Sequence, residues 1–189
     1  MMRELFNAVV DTDFGQFDLL WGDETDYLVG CPVDWDDGHV NGFVGAGNPH
    51  GLHLCMARPH GASPVVIELH AEEPAVPPPS FEDVVEVSIV IPPEARVTWF
   101  SWGGETSGEL PTVPGGSYRV RVCCQGRDEA AGEVDIAEAV IDLYVIQLWL
   151  APPAPENIVR IGTEDARRGM RDLARRQQQA SLNSSVDDE

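Results

Sequence analysis

The sequence contains no lysine: all twelve basic residues are arginines, set against 32 acids, for a net charge of −20. That shortage of positive charge excludes general binding to DNA, RNA or anionic membranes, whose phosphates would be repelled, and favours basic partners. Long apolar runs are missing too, and nothing reaches the roughly 18 residues that a membrane-spanning helix needs. The opening Met-Met-Arg-Glu-Leu-Phe has neither an extended apolar core nor a small-residue cleavage site, so no signal peptide and a cytoplasmic location are expected. Cysteines number only four, two of them adjacent at 123 and 124, where neighbours on one strand point to opposite faces. Free buried thiols in a reducing compartment are expected, with Cys31 and Cys55 the one pair spaced to bond. No Gly-x-Ser-x-Gly elbow and no Cys-His motif occurs, so nothing points to an enzyme.

Glycine and proline are abundant instead, at 18 and 15 residues, and they cut the 189 residues into short elements. Between the cuts lie runs of period two, which describe strands with one face buried. The strongest follows Pro114-Gly115-Gly116, where Tyr118, Val120 and Val122 alternate with Ser117, Arg119 and Arg121. Its partner is residues 143–150, apolar on nearly both faces as a central strand would be. Further strands are expected at 5–10, 14–21, 52–56, 64–71, 81–91 and 96–102, with Phe17, Leu19 and Trp21 inward and Asp18 outward. Residues 128–140 suit a loop with helical turns, since Gly132 interrupts the alanines. The fold class is therefore all-β: a single β-sandwich of about eight mostly antiparallel strands with a C-terminal α-helix.

In domain terms, residues 1–155 form the sandwich, 156–162 a linker, 163–180 a peripheral amphipathic helix and 181–189 a disordered tail. Thr163 can cap that helix, Met170 and Leu173 supply a thin apolar stripe, and Glu164–Arg168 and Asp172–Arg176 have favourable i,i+4 spacing. Residues 1–159 hold 26 acids and 6 arginines, and residues 160–189 hold 6 of each, so the whole net charge lies on the body. The arginine-bearing helix is expected to fold back onto it.

Nine acids and no arginine fall between positions 11 and 37. From that stretch Asp11, Asp13, Asp23, Glu24, Asp26, Asp34, Trp35, Asp36 and Asp37 are the candidate partner-binding residues. Asp34-Trp35-Asp36-Asp37-Gly38 is not a calcium loop, because Gly38 stands where a third acid is needed and Gly45 where the final Glu is needed. Gly45-x-Gly47 lacks the third glycine of a dinucleotide fingerprint, which excludes that site. His50, His53, Cys55 and His60 fall within eleven residues and are the weaker candidates for a metal, although their spacing matches no structural zinc pattern. No cofactor is expected.

Several short segments occur in the order found in the competence protein J family, a group of small acidic nuclease inhibitors. They are the aromatic strand around Phe17, Asp34-Trp35 after an acidic loop, Gly42 to Gly45, the strand at 52–57, Pro114-Gly115-Gly116-Ser117-Tyr118 and the strand containing Tyr144. The chain resembles that family over roughly residues 14–150, and the helix at 163–180 departs from its shorter pattern. Tyr118-Arg-Val-Arg-Val-Cys123 and Ala151-Pro-Pro-Ala-Pro155 are also similar to segments of acidic, β-rich actinobacterial proteins. The resemblance implies a non-enzymatic, inhibitor- or immunity-type partner of a basic nuclease or toxin, in a competence setting. The alternative from another class is a small-ligand- or metal-binding β-sandwich, or an enzyme, using the His/Cys cluster or the aromatic strand at 96–102.

Overall fold

The computed structural model describes residues 1–21, 35–36, 38–101, 105–132 and 141–184. They form two β-sheets and a long C-terminal helix. The larger sheet has the order β1 (Met2–Asp13), β5 (His60–His70), β10 (Leu143–Leu150), β9 (Gly116–Gln125), β6 (Asp83–Ile91) and β11 (Asn157–Ile161). The smaller runs β3 (Val44–Gly45), β4 (Gly51–Cys55), β2 (Gln16–Leu20), β7 (Thr98–Ser101) and β8 (Ser107–Glu109). Two helices follow in the chain, α1 (Arg127–Gly132) and α2 (Glu164–Ser184). Among the described residues eleven strands stand against the expected eight, the short β3, β8 and β11 being additional. All pairings are antiparallel except β5 with β10.

The two best sequence strands, β9 and β10, pair at the centre of the larger sheet, from Leu143 opposite Gln125 to Leu150 opposite Tyr118. Val120, Val122, Tyr144 and Ile146 are wholly buried, and they share one hydrophobic cluster with Phe17, Leu19, Leu52 and Leu54 of the smaller sheet. Full burial of such a side chain stabilises by about 1.5–3 kcal/mol. Cys124 lies in that cluster, and Cys123 is buried on the other face of β9. Burial pushes both thiols up to about 12, which keeps them protonated and inert.

Both sheets are joined by strands that turn a corner. β1 pairs with β5 down to Asp13 opposite His60, and its continuation β2 pairs with β4 from Gln16 opposite Cys55. Phe14 and Gly15 make the bend, both at positive φ, 53° and 65°. Gly15 is fixed from both sides: Met56 donates its amide to the Gly15 carbonyl at 2.6 Å, and the Gly15 amide donates to Pro59 at 3.2 Å. A Cβ there would collide with the Met56 carbonyl.

Three expectations are corrected. Residues 156–162 are not a linker, because Asn157 to Ile161 add an edge strand antiparallel to β6. The face of β9 bearing Arg119 and Arg121 is not wet: these residues are 7% and 1% exposed. They share Glu86, with Arg121 Nε at 2.8 Å and Arg119 Nη2 at 3.3 Å. Their other donors meet the carbonyls of Pro74, Ala75, Ala154 and Pro155. Proline-rich extended backbone makes no internal hydrogen bonds, so its carbonyls are free to cap guanidinium groups. Asp18, expected outside, is also fully buried.

Acid should loosen this arrangement. Burial alone would raise the Glu86 carboxyl, but hydrogen bonds from Asn157 and Arg121, the Arg121 charge and a hydrogen bond from Arg119 hold it below its ordinary value of 4.5. Glu156 behaves likewise, with His39, Asn41 and the Val40 amide outweighing burial. A carboxylate whose folded pKa is depressed stabilises above its unfolded value and loses that contribution as pH falls through the folded one. The urea midpoint is therefore expected to hold between about pH 7 and pH 5 and to fall below about pH 4.5. A midpoint flat to about pH 3 would remove both carboxylates from the account.

Candidate functional site

A cavity of about 340 Å³ opens where the corner, β4, α1 and α2 meet. Each wall has a local cause. Asn41 organises the loop before β3: its carbonyl accepts from the Phe43 and Val44 amides at 2.9 and 2.6 Å, and its amide donates to Glu156 at 2.7 Å. His39 Nε2 accepts from the Ala46 amide at 3.1 Å, which leaves Nδ1 to donate to Glu156 at 2.9 Å. Gly42 then sits at φ 75°, its backbone so close to Gly169 of α2 that a Cβ would overlap the Gly169 carbonyl group.

Arg127 closes the inner end. It is 2% exposed, with Nη1 donating to the Cys55 carbonyl at 3.0 Å and Nη2 to Asp165 at 2.6 Å. Its guanidinium lies 4.6 Å over the Phe43 ring. Asp83, fully buried and 3.8 Å from Arg127 Nε, accepts from the Gly162 and Thr163 amides and the Thr163 hydroxyl. Thr163 caps α2 as expected, its Oγ1 accepting from the Ala166 amide at 3.2 Å. Asp128 accepts from the Glu164 and Asp165 amides, so the first turn of α2 is tied to the body by several groups. Ala166 and Leu173 are buried, and everything from 174 to 183 is exposed.

The sequence-predicted residues divide. Asp11 is exposed on β1, and Asp13 holds His60, whose ring meets Phe14 edge-on at 5.6 Å. Asp36 lines the cavity and pairs with Arg176 at 3.0 Å. Trp35 is half-buried, packs beside Gly45 and Gly51 and lies 5.7 Å from the His53 ring. Asp23, Glu24, Asp26, Asp34 and Asp37 lie outside the described residues. His50 is exposed in a turn, His60 is taken up by Asp13, and His53 Nδ1 bonds to buried Asp18 at 2.6 Å. His53 and Cys55 do share a strand face and the cavity wall, but among the described residues no three His, Cys, Asp or Glu could hold a metal ion. Part of Cys55 is open, yet burial in the cavity wall pushes its thiol up despite the nearby Arg127. Cys31, with which Cys55 could pair in principle, lies outside the described residues.

Sequence reasoning missed Phe14 and the α2 wall. Phe14 is 64% exposed on left-handed backbone, a conformation that costs a bulky L-residue about 1–2 kcal/mol. The signal was Phe14-Gly15 between two strand patterns, which was assigned to the second strand. Phe14→Asn, at a position where asparagine fits, is expected to leave stability unchanged or raise it by up to about 1 kcal/mol. A loss larger than that in urea titration would mean that the ring is held chiefly for packing.

No family model and no curated protein matches the sequence. Two solved structures share its fold, each at probability 1.00 with a TM-score of 0.56. One is ComJ of Bacillus subtilis, an inhibitor of the DNA-degrading activity of NucA, at 15% identity over 80% of this chain and 99% of that one. The other is the product of crocagin biosynthetic gene J, at 16% identity over the same shares. The chain thus has the ComJ-like fold that its sequence motifs resembled.

Proposed function

We propose that this chain is a non-enzymatic cytoplasmic protein that binds and blocks a basic nuclease or toxin, without contacting nucleic acid or membrane itself. The supporting observation is the coincidence of a ComJ-like fold with a net charge of −20 carried wholly by the body. Asp11, Asp13, Phe14 and Asp36 supply the contact: the aromatic anchors, and the carboxylates take the place of substrate phosphates against the partner's Lys and Arg. Strain retained at an exposed phenylalanine is more typical of a contact residue than of a packing one.

The experiment is stoichiometric inhibition of DNA cleavage by each basic nuclease encoded in the source genome. Inhibition is expected to weaken with salt. The Asp11→Asn/Asp13→Asn/Asp36→Asn variant is expected to associate about tenfold more slowly, with a smaller change in dissociation. Inhibition indifferent to salt and to these changes would reduce the acids to a solubilising surface, and inhibition of none of the nucleases would sink the nuclease assignment.

A further inference from the structure

Arg176 is, among the described residues, the one arginine of α2 whose ion-pair partner lies off the helix. Arg167 and Arg171 pair with Glu164, Arg168 with Asp165 and Arg175 with Asp172. Arg176 does not take its expected i,i+4 partner Asp172 and reaches Asp36 instead. The pair is open to solvent, with side chains 62% and 35% exposed, and α2 buries no side chain beyond Leu173. Beyond Leu173 the Gln177 amide, donating to the His39 carbonyl at 3.0 Å, adds a further hydrogen bond to the body. Exposed pairs of this kind open readily.

The cavity behind the pair has apolar walls from Phe14, Phe43, Met56 and Pro59, and charged ones from Asp36, Asp165, Asp172, Arg127, Arg168 and Arg176. Among the described lining residues three carboxylates face three guanidinium groups. Asp165 is held by Arg127 and Arg168, and Asp172 by Arg175. If Arg176 swings out, Asp36 loses its ion-pair partner while Asp165 and Asp172 keep theirs.

We propose that this cavity is a receptacle for an arginine side chain presented by a basic protein partner, and that Arg176 occupies its mouth until that arginine displaces it. The choice of a basic protein rests on the function proposed above. The walls suit arginine, which lays an aliphatic stem on apolar surface and carries a planar, weakly hydrated cation at its tip. Phe14 lines the rim, exposed although edge-on to His60, and brings an aromatic ring within reach of such a cation. Exchange of one guanidinium for another leaves the charge of the cavity unchanged, so the partner's arginine must overcome only an exposed ion pair.

The test needs no nuclease. The ¹⁵N-labelled full chain is titrated with N-acetyl-arginine amide, as wild type and as Arg176→Ala, a change that an exposed helical position tolerates. Saturable amide shifts are expected around Phe14, Asp36, Gly42 and Cys55, with binding about two- to fivefold tighter in Arg176→Ala. Adding Asp36→Asn to that variant should abolish them, and N-acetyl-citrulline amide, similar in shape but uncharged, should produce none. Equal affinity in wild type and Arg176→Ala, shifts scattered over the acidic surface, or an equal response to citrulline would each overturn the receptacle. If the titration succeeds while no nuclease is inhibited, the receptacle stands and the nuclease assignment falls. A nuclease inhibited equally by wild type and Asp36→Asn would place the docking surface elsewhere and overturn the cavity as its site.

Discussion

Replacing Arg127 by methionine is expected to cost about 3–5 kcal/mol of stability. Among the described residues the guanidinium is the cation beside Asp83 and one of two that hold Asp165, the other being the more exposed Arg168; the two carboxylate side chains are 0% and 10% exposed. Methionine fills much of the volume but leaves the buried Asp83 without its cation, Asp165 with Arg168 alone and the Cys55 carbonyl without its donor. An uncompensated buried charge is far more costly than the loss of a matched pair. For a chain of this size the change corresponds to a fall in Tm of roughly 6–20 °C. Urea and thermal titrations at neutral pH measure it. A loss below about 1 kcal/mol would mean that water reaches Asp83 and Asp165 once the arginine is gone. Arg127→Lys separates charge from geometry: it keeps the cation and loses the fork that reaches Cys55 and Asp165 together.

Glu86→Ala is the second large change, again expected to cost about 3–5 kcal/mol. Glu86 is the carboxylate shared by Arg119 and Arg121, and it also accepts from Asn157 of β11 at 3.1 Å. Its removal leaves Arg119 with backbone carbonyls and Ser88, and Arg121 with the Pro74 and Ala75 carbonyls and Glu73, whose side chain is 65% exposed. Glu86→Gln keeps an acceptor but not the charge and should fall between wild type and alanine. A triple change of Glu86, Arg119 and Arg121 to Leu, Leu and Met should recover much of the loss, because a whole buried ion network can be exchanged for apolar side chains. If the triple variant is no more stable than Glu86→Ala, the face is held by the arginine caps on the proline-rich segments and not by the ion pairs.

These two sites lie where the sequence was least informative. Period-two alternation identified β9, β10, β6 and the inward set Phe17, Leu19 and Trp21, because burial on one face writes itself directly into composition. The same logic assigned Arg119, Arg121 and Asp18 to water, since a polar residue opposite an apolar one ordinarily faces solvent. What covers them comes from distant segments: residues 72–79 and 151–155 over the arginines, and His53 beside Asp18. Local pattern carries no record of such contacts. β11 was hidden for a different reason, because Asn-Ile-Val-Arg-Ile follows Pro152, Pro153 and Pro155 and looks like their continuation. Of the candidate site, Asp36 and the shared face of His53 and Cys55 were legible, and the α2 wall was not. Thr163 announced the helix, but the destination of Arg176 depends on where a loop 140 residues earlier comes to rest.

The parallel pairing of β5 with β10 sets the order in which the protein can be made. β5 finds β1 early, yet its other edge must wait for β10, whose register runs from Tyr144 beside Val65 to Trp149 beside His70. About 80 residues separate the two strands, so at ribosomal rates that edge stays uncovered for roughly 4–16 s. An open strand edge invites pairing with any passing chain. Glu68, which stands in the stretch that β10 later covers and there meets Gln147, carries charge onto the strand and makes its nascent edge a poorer template for aggregation.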